Sequence, residues 1–286
     1  MATDYLWFEG IPLPTSGFNI EDMKRNRDEF VVRDEDVIMV TYPKSGSHWL
    51  AEIVSLIYSK GDISWVQSVA LWYRTPWIES IHGAESIPKE QGPRMYSSHL
   101  PIQLFPKSLF VSKAKVIYLI RNPRDIITSG YHFFKALKTV KNPESFEQYL
   151  EWFLQGNVIF GSWFDHIQGW LSMKGKENFL IISYEELQQD TRATVERISQ
   201  FLGKELSPEE FNSILKNVSF EVMKENKMSN FSLVPEMFMD HTKGKLMRKG
   251  ISGDWKNHFT VAQSEAFDQI YKEKMGSLPR GLFPWE

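Results

Sequence analysis

"TYPKSGSHWL", residues 41–50, stands between a run of apolar residues and a run with apolar residues at helical spacing. The run before it, "DVIMVTYP" (36–43), predicts a buried strand, and the run after it, 47–59, predicts a helix with one apolar face. A strand, a short polar loop and a helix in this order aim free backbone N–H groups and a helix dipole at an anion. Gly46 permits close backbone approach and Lys44 adds a positive charge. The stretch therefore predicts an anion-binding loop.

This loop differs from the P-loop of nucleotide-hydrolysing enzymes. A P-loop has the order G-x-x-x-x-G-K-[ST], with lysine directly after the second glycine, whereas here Ser47 follows Gly46. Such enzymes also need a strand aspartate that helps to hold Mg²⁺, but "VIYLIRNPRD" (116–125) has Arg121 at that point. We therefore expect a site in which basic side chains cluster without a bound metal ion. The group transferred there should carry less negative charge than a phosphoryl group.

The rest of the chain predicts an α/β fold. The runs "KVIYLIRNP" (115–123) and "NFLIISYEE" (178–186), and more weakly "RMYSSHLP" (94–101), have the composition of strands buried on both faces. Helical patterns occupy 125–138, 144–155, 157–171, 185–203, 207–217 and 261–275. Strands alternating with helices predict a single domain over residues 1–286, with a central parallel sheet flanked by helices and a ligand at the carboxyl ends of the strands.

Composition narrows the class of protein. The chain has 286 residues, 42% of them hydrophobic, no cysteine and a net charge of −3. The absence of cysteine excludes a disulfide scaffold and thiolate metal sites. The net charge offers no general attraction to nucleic acid, and no run reaches the ~18 apolar residues of a membrane span. Because the first residues lack the pattern of a signal peptide, we expect a cytoplasmic protein without nucleic-acid or membrane partners.

Two further stretches carry anion-binding features. "RNPRDIITSGYHFF" (121–134) places Arg121 between a strand and a helix that carries Ser129. "RKGISGDWKNHFT" (248–260) combines glycines with basic residues, so that backbone amides and a guanidinium can hold one phosphate. The ordinary alternatives are arginines paired with nearby acids and a flexible basic loop.

Together the three stretches resemble the cytosolic sulfotransferase family. "TYPKSGSHWL" resembles the family's 5′-phosphosulfate loop, "RNPRDIITSGYHFF" its 3′-phosphate motif, and "RKGISGDWKNHFT" its C-terminal 3′-phosphate signature. They occur in the family's order over most of the chain. The similarity extends through "WFEGIPLP" (7–14), "SSHLPIQLFP" (97–106), "SYEEL" (183–187) and "FPWE" (283–286), and these stretches are most similar to the hydroxysteroid (alcohol/bile-salt) branch.

The resemblance implies a sulfuryl donor, 3′-phosphoadenosine 5′-phosphosulfate (PAPS), and a set of residues that bind it. The residues implied on the 5′ side are Lys44, Ser45, Gly46, Ser47, His48 and Trp49. Those implied at the 3′-phosphate and adenosine are Arg121, Ser129, Tyr184, Ser219, Phe220, Met223, Arg248, Lys249 and Gly250. Aromatic faces for an adenine and arginine forks with hydroxyls for a phosphate agree with these roles.

The resemblance also implies a mechanism. His99 in "SSHLP" matches the family's catalytic histidine, and an imidazole can accept the proton of a steroid hydroxyl near pH 7. Lys44 would neutralise charge on the leaving phosphate oxygen. His48 stands where the family usually has Asn or Thr, so it would hydrogen-bond the sulfuryl group or act as a second base. Phenol-type relatives carry Lys two positions before the histidine, where this chain has Ser97.

Aromatic and apolar residues near the motifs predict the walls of a pocket for a steroid or bile-acid acceptor. They are Trp72, Tyr73, Trp77, Phe133, Phe134, Leu137 and Phe231, any of which core packing could also explain. The stretch 227–244 is rich in Met and aromatic residues with little periodicity, which predicts a lid over this pocket. Acceptors other than steroids, including phenols, remain an alternative.

"KNHFTVAQSE" (256–265) matches the family's short dimer motif and predicts a homodimer through Lys256–Glu265. The ordinary alternative is a helix start capped by Thr260. Two other functions remain open from the residues alone: a P-loop kinase or NTPase, which lacks its lysine order and Mg²⁺ carboxylate here, and a steroid-binding protein without chemistry, which would not explain the basic loops.

Overall fold

A short hairpin and a parallel sheet form the β-structure of the computed structural model, which describes residues 5–89 and 92–286. The strands are β1 (Leu6–Phe8), β2 (Ile11–Leu13), β3 (Val37–Thr41), β4 (Met95–Ser98), β5 (Lys115–Ile120) and β6 (Phe179–Ser183). The last four form one sheet in the order β4-β3-β5-β6, and each neighbouring pair is parallel. The expected fold class is therefore confirmed, including the weaker strand prediction within 94–101.

Helices fill the connections between strands. They are α1 (Ile20–Glu29), α2 (Ser47–Tyr58), α3 (Ser64–Ser68), α4 (Leu71–Arg74), α5 (Gly83–Ser86), α6 (Pro123–Phe134), α7 (Phe146–Gln155), α8 (Trp163–Leu171), α9 (Tyr184–Gln189), α10 (Thr191–Leu202), α11 (Pro208–Asn217), α12 (Phe220–Glu225) and α13 (Val261–Met275). Short 3₁₀ turns occupy Ile102–Leu104, Lys107–Val111 and Asp254–Asn257. No helix within the described ranges is long and apolar enough to cross a lipid bilayer.

Two helix predictions differ from the structure for capping reasons. The predicted helix 185–203 is divided at Asp190, which ends α9 and whose side chain accepts the N–H of Ala193 to begin α10. The helix predicted over 157–171 begins only at Trp163, because Ser162 accepts the N–H of Asp165 as its N-cap.

The sheet is buried on both faces because side chains alternate along each strand. On one face, Ile38, Val40, Tyr96, Val116 and Tyr118 pack with residues of α6, α7 and α8. On the other face, Val37, Met39, Ile117, Leu119 and Ile182 pack with residues of α2, α10 and α11. Both cores leave the carboxyl edge of the sheet for polar groups.

The hairpin β1–β2 was not among the sequence predictions. Its two-residue turn, Glu9-Gly10, has φ of 47° and 80°, the pattern of a type I′ turn that suits a hairpin. The carbonyl of Pro12 in β2 accepts the N–H of Phe160 at 2.7 Å. The hairpin thereby helps to hold Phe160, whose ring reaches the site described next.

Each strand of the parallel sheet ends at a residue that the sequence analysis singled out. The loop with Lys44 follows β3, His99 follows β4, Arg121 follows β5 and Tyr184 follows β6. Because the strands are parallel, these four residues share one edge of the sheet.

Candidate active site

The loop after β3 has the backbone of an anion cradle. Lys44 and Gly46 have positive φ, 69° and 106°. Gly46 begins α2 without a side-chain cap, so the first N–H groups of the helix remain available to a ligand. A Cβ at Gly46 would lie 2.9 Å from Cδ2 of Tyr184, so glycine is required for this close packing. The loop and the first residue of α9 thus form one wall.

Arg121 joins this loop to the distant 248–255 loop. Its Nη1 donates to the carbonyl of Lys44 at 2.9 Å and its Nη2 donates to the carbonyl of Ile251 at 3.1 Å. The guanidinium lies 4.1 Å from the centroid of the Tyr184 ring. Its Nε is buried and has no hydrogen-bond partner in the described part of the chain. Arg121 therefore fixes both loops and retains a donor.

The 248–255 loop is anchored by two helices. The carboxylate of Asp125 in α6 accepts the N–H groups of Gly253 at 2.7 Å and Trp255 at 3.1 Å. The amide of Gln188 in α9 donates to the carbonyl of Gly250 and accepts the N–H of Ser252. Asp125 is buried, so its pairing with these N–H groups is strongly preferred to leaving it unpaired. The loop is therefore ordered by the fold itself.

The basic residues of this loop are paired with one carboxylate that the sequence analysis did not single out. Arg248 and Lys249 lie 2.6 and 2.7 Å from the carboxylate of Asp254, and His258 lies 3.4 Å from it. Burial opposes the ionisation of Asp254, but hydrogen bonds from Lys249, Asn257 and Arg248 hold its pKa below its usual value. Asp254 therefore stays ionised and orients Arg248 and Lys249.

Arg124, three residues after Arg121, is paired with an acid, the ordinary alternative for an arginine in this motif. It pairs with Asp268 and packs its guanidinium against Trp255 and Phe267. The strand-end position of Arg121, rather than the presence of arginine in the motif, thus distinguishes the site residue.

Lys44 lies among cations. Its Nζ is 3.6 Å from the centroid of the Phe133 ring. Burial lowers the pKa of Lys44 well below its usual value, and the charges of Arg121 and Arg248 lower it further. A bound anion would reverse this repulsion, because it would neutralise the neighbouring cations. The electrostatics of the site therefore favour a polyanionic ligand.

Polar atoms without partners mark the same wall. The hydroxyl of Ser45 and the indole Nε1 of Trp49 are buried and have no hydrogen-bond partner in residues 5–89 and 92–286. The rings of Trp49 and Tyr184 lie edge to face with centroids 5.3 Å apart. Gly250, with φ of 67°, has no room for a Cβ beside the Phe220 ring. These donors, rings and glycines fit an adenosine nucleotide with phosphates at both ends.

His99 lines the cavity with one ring nitrogen bonded to the backbone and the other unpaired in the described ranges. Its Nδ1 lies 2.7 Å from the carbonyl oxygen of Thr41, which can only accept, so Nδ1 carries the proton. The lone pair is therefore on Nε2, which has no partner within the described ranges. The ring stacks on Trp77 with centroids 4.2 Å apart. Burial lowers the pKa of His99 to about 3, with His48 and Lys44 adding to the effect. The imidazole is thus neutral and able to accept a proton.

His48 is fixed in a similar way by the 227–244 segment. Its Nδ1 donates to the carbonyl of Ser229 at 2.9 Å, and burial lowers its pKa to about 4. The Ser229 hydroxyl donates to Glu52 at 2.7 Å, and Glu52 forms a fully buried ion pair with Arg74. This network joins α2 to the 227–244 segment, which has no regular helix or strand.

One cavity contains most of the residues that the sequence analysis named. Its walls include Lys44, Gly46, Ser47, His48, Trp49, Trp77, His99, Arg121, Ser129, Phe133, Phe134, Leu137, Tyr184, Phe220, Met223, Phe231, Arg248, Lys249 and Gly250. Four named residues do not line it. Ser45 is buried within the loop, Ser219 caps α12, and the Trp72 ring contacts the Phe231 ring, whereas Tyr73 is 69% exposed.

The cavity also has lining residues that the sequence analysis did not name. They are Phe18, Pro43, Glu79, Ser80, Ile159, Phe160, Val218, Leu246, Met247 and Ile251. Pro43 and Ile251 lie within recognised motifs, and Val218, Leu246 and Met247 lie within two residues of named site residues, so position in the sequence was the available signal for these five. In the described residues, no group of His, Asp or Glu is arranged to hold a metal ion.

Comparison with known proteins identifies the family. Residues 34–279 match the family model described as "Sulfotransferase domain". The chain is 64% identical to Sulfotransferase 2A1 of Macaca fascicularis over 286 residues, covering 100% of both chains. It is 60% identical to the 3-beta-hydroxysteroid sulfotransferase of Cavia porcellus over 287 residues, covering 100% of this chain and 99% of that protein.

A solved structure agrees with this match. The crystal structure of mouse sulfotransferase SULT7A1 complexed with PAP is 31% identical, with a TM-score of 0.79 and 95% of each chain covered. The resemblance predicted from the three basic stretches is confirmed, and a P-loop kinase or NTPase is not supported. The chain therefore belongs to the sulfotransferase family, whose sulfuryl donor is PAPS.

Proposed function

We propose that this enzyme transfers the sulfuryl group of PAPS to an alcohol hydroxyl of a steroid or bile acid. The observation that carries the proposal is one cavity that joins the cationic wall of Lys44, Arg121 and Arg248 to an apolar wall, with the His99 imidazole among its lining residues. A non-catalytic steroid-binding protein would need the apolar wall alone.

The residues of the chain divide the chemical work. PAPS, when bound, supplies an activated sulfuryl group with a phosphate leaving group. The N–H groups at the start of α2, Arg121, Arg248 and Lys249 would hold its phosphates, and the Trp49 and Tyr184 rings its adenine. Lys44 stabilises negative charge on the departing phosphate oxygen. His99 accepts the hydroxyl proton at Nε2.

His48 has a different role in this proposal. It donates Nδ1–H to Ser229 and presents Nε2, which can accept a hydrogen bond. We assign His48 the positioning of the acceptor hydroxyl or of the sulfuryl group. It belongs to the start of α2, and it contacts Ser229 and the Phe231 ring of the 227–244 segment.

The acceptor class rests on the wall and on the relatives. Phe133, Phe134, Phe160 and Phe231 give a rigid aromatic surface suited to fused rings, at about 25 cal/mol per Å² of apolar area removed from water. The relative from Cavia porcellus is named for 3-beta-hydroxysteroids. Ser97, where phenol-type relatives carry lysine, is buried within β4 and adds no cation beside His99.

Incubation with a hydroxysteroid, a bile acid or a simple phenol and ³⁵S-labelled PAPS tests the proposal, with and without a chelator. We expect sulfated product from the steroid or bile acid at equal rates in both conditions. Steroid binding without product would support the binding-protein alternative, and faster turnover of the phenol would overturn the acceptor class.

We also propose a cytoplasmic homodimer through residues 256–265. Thr260 caps α13, so the ordinary explanation of a helix start also holds, yet Val261 beside it is 77% exposed. Sedimentation of the wild-type chain and a Val261→Glu variant distinguishes a dimer contact from an ordinary helix start. The proposal expects a dimer that the variant weakens with PAP binding retained, and a monomeric wild-type chain would overturn it.

A further inference from the structure

The cavity contains an acidic residue to which neither the family motifs nor the mechanism above gives a role. Glu79 lines the cavity and is 3% exposed. No lysine or arginine in the described ranges forms an ion pair with it. A buried carboxyl group without a counter-charge is costly, so a specific contact must account for its position.

The contact is with the backbone of His99. Oε1 of Glu79 accepts the His99 N–H at 2.7 Å. The second oxygen, Oε2, is buried and has no hydrogen-bond partner in the part of the chain that the structure describes. The side chain is therefore held at one end by the residue that carries the proposed base.

Sheet geometry explains why His99 needs this partner. Residues 76–78 run parallel to the end of β4: Ser97 donates its N–H to Pro76 at 2.8 Å, and Ile78 donates to Ser97 at 3.1 Å. The next bond of a parallel ladder would run from the His99 N–H to the Ile78 carbonyl.

That bond is replaced. The chain turns after Trp77, with Ser80 donating to the Trp77 carbonyl at 3.1 Å, and the Ile78 carbonyl accepts Asn26 instead. The Glu79 carboxyl takes the place of the missing ladder carbonyl. The same segment supplies Trp77, which stacks on the His99 ring.

We propose that Glu79 is a positioning residue for the sulfuryl-transfer reaction, holding the His99 backbone so that Nδ1 meets Thr41 and Nε2 faces the acceptor. The inference rests on the proposed role of His99 as base. The essential property of the Glu79 carboxyl is that it accepts a hydrogen bond from the His99 N–H. Its negative charge is not required.

The protonation behaviour of Glu79 agrees with this role. Burial raises its pKa to about 7, although the backbone N–H groups of His99 and of Glu79 itself and the Ser98 hydroxyl oppose the shift. The carbonyl oxygen of a protonated carboxyl also accepts a hydrogen bond, so the contact does not need the ionised form.

Two conservative variants distinguish a need for a hydrogen-bond acceptor at Glu79 from a need for its negative charge. Glu79→Gln removes the charge and keeps an acceptor at the same distance, whereas Glu79→Asp keeps the charge and withdraws the acceptor by one methylene. We expect kcat of Glu79→Gln to stay within about threefold of wild type and that of Glu79→Asp to fall about 10- to 100-fold, as misplacement of a catalytic group produces. PAP affinity should be unchanged in both.

The reverse order, with Glu79→Asp more active than Glu79→Gln, would overturn the proposal in favour of a charge role. Wild-type kcat in both variants would also overturn it. Thermal melting of both proteins controls for loss of fold.

A second measurement does not depend on activity. Imidazole ¹⁵N spectra, with His99 assigned by a His99→Asn variant, report which ring nitrogen carries the proton. We expect the Nδ1–H form in the wild type and Glu79→Gln, and a mixture of forms in Glu79→Asp. An unaltered His99 signal in Glu79→Asp would refute the positioning role even if no acceptor were turned over, so this failure is distinct from failure of the proposed function.

Discussion

The Nδ1 of His99 lies 2.7 Å from the carbonyl oxygen of Thr41, the last residue of β3. Lys44 follows Thr41 by three residues, so one strand end orients the proposed base and carries the cation proposed to stabilise the leaving group. The hydroxyl of Thr41 also donates to Ser47 at 3.0 Å, which ties the start of α2 to the same point. The distance between His99 and Lys44 is thus set by a few buried hydrogen bonds.

The pH dependence should reflect a neutral, buried imidazole. Burial lowers the pKa of His99 to about 3, so its basic form persists far below the usual value of about 6.5. We expect kcat/KM to hold as pH falls from 7.5 to 5.5, measured where the protein remains folded. An acidic limb centred near pH 6.5 would indicate a base with an ordinary imidazole pKa and would contradict the lowered pKa of His99.

Removing the charge of Lys44 should affect turnover more than binding. Its Nζ lies beside Phe133 within the cationic wall, and loss of a transition-state charge contact costs about 10²- to 10³-fold in kcat. We expect this loss for Lys44→Met, with little change in steroid affinity. Lys243→Met, at a lysine whose side chain is 66% exposed, is the matched control. Unchanged turnover of Lys44→Met would remove this residue from the mechanism.

Two glycines of the 248–255 loop offer a matched pair. Both have positive φ, 67° at Gly250 and 83° at Gly253, so alanine is strained at either by about 1 kcal/mol. A Cβ would overlap the Phe220 ring at Gly250 and meets nothing within 4 Å at Gly253. We expect Gly250→Ala to weaken PAP binding at least about tenfold more than Gly253→Ala, as calorimetry would measure. Equal losses would show that strain alone matters.

Only residues that line the apolar wall of the cavity should affect the KM for the hydroxysteroid. Phe231 lines the cavity and contacts His48 with ring centroids 5.4 Å apart, whereas Tyr73 is 69% exposed. Phe231→Ala should raise the KM for a hydroxysteroid about tenfold, because apolar contact area is lost. Tyr73→Ala should leave KM unchanged, and a comparable rise in both variants would count against this wall.

Sequence reasoning located the strand ends because apolar runs and turn residues are local signals. The loop at Lys44 and the strand end at Arg121 could be placed on one edge from the parallel-sheet rule alone. The side of α4 that faces inward could not, because a helix of four residues, Leu71–Arg74, has no measurable periodicity. Trp72 and Tyr73 were therefore both predicted to line the pocket, whereas in the structure the Trp72 ring contacts Phe231 outside the cavity lining and Tyr73 is exposed.

The missed residues share one cause. Glu79 contacts His99 across 20 positions, and this contact exists only because residues 76–78 pair with β4. Asp254 stands within a recognised basic motif, but the number of cations that it pairs with depends on the turn at Gly253. Contacts that arise from chain pairing or turn geometry leave no periodic trace in the sequence.

The carboxylate between Arg248 and Lys249 has a bearing on how a nucleotide enters. The Asp254 carboxylate accepts hydrogen bonds from both basic side chains and offsets the repulsion between their charges. If the 3′-phosphate of PAPS binds to Arg248 and Lys249 as proposed, both side chains are already ordered by Asp254 before it arrives. Binding of the donor then costs less conformational entropy, because two long, flexible side chains are already ordered.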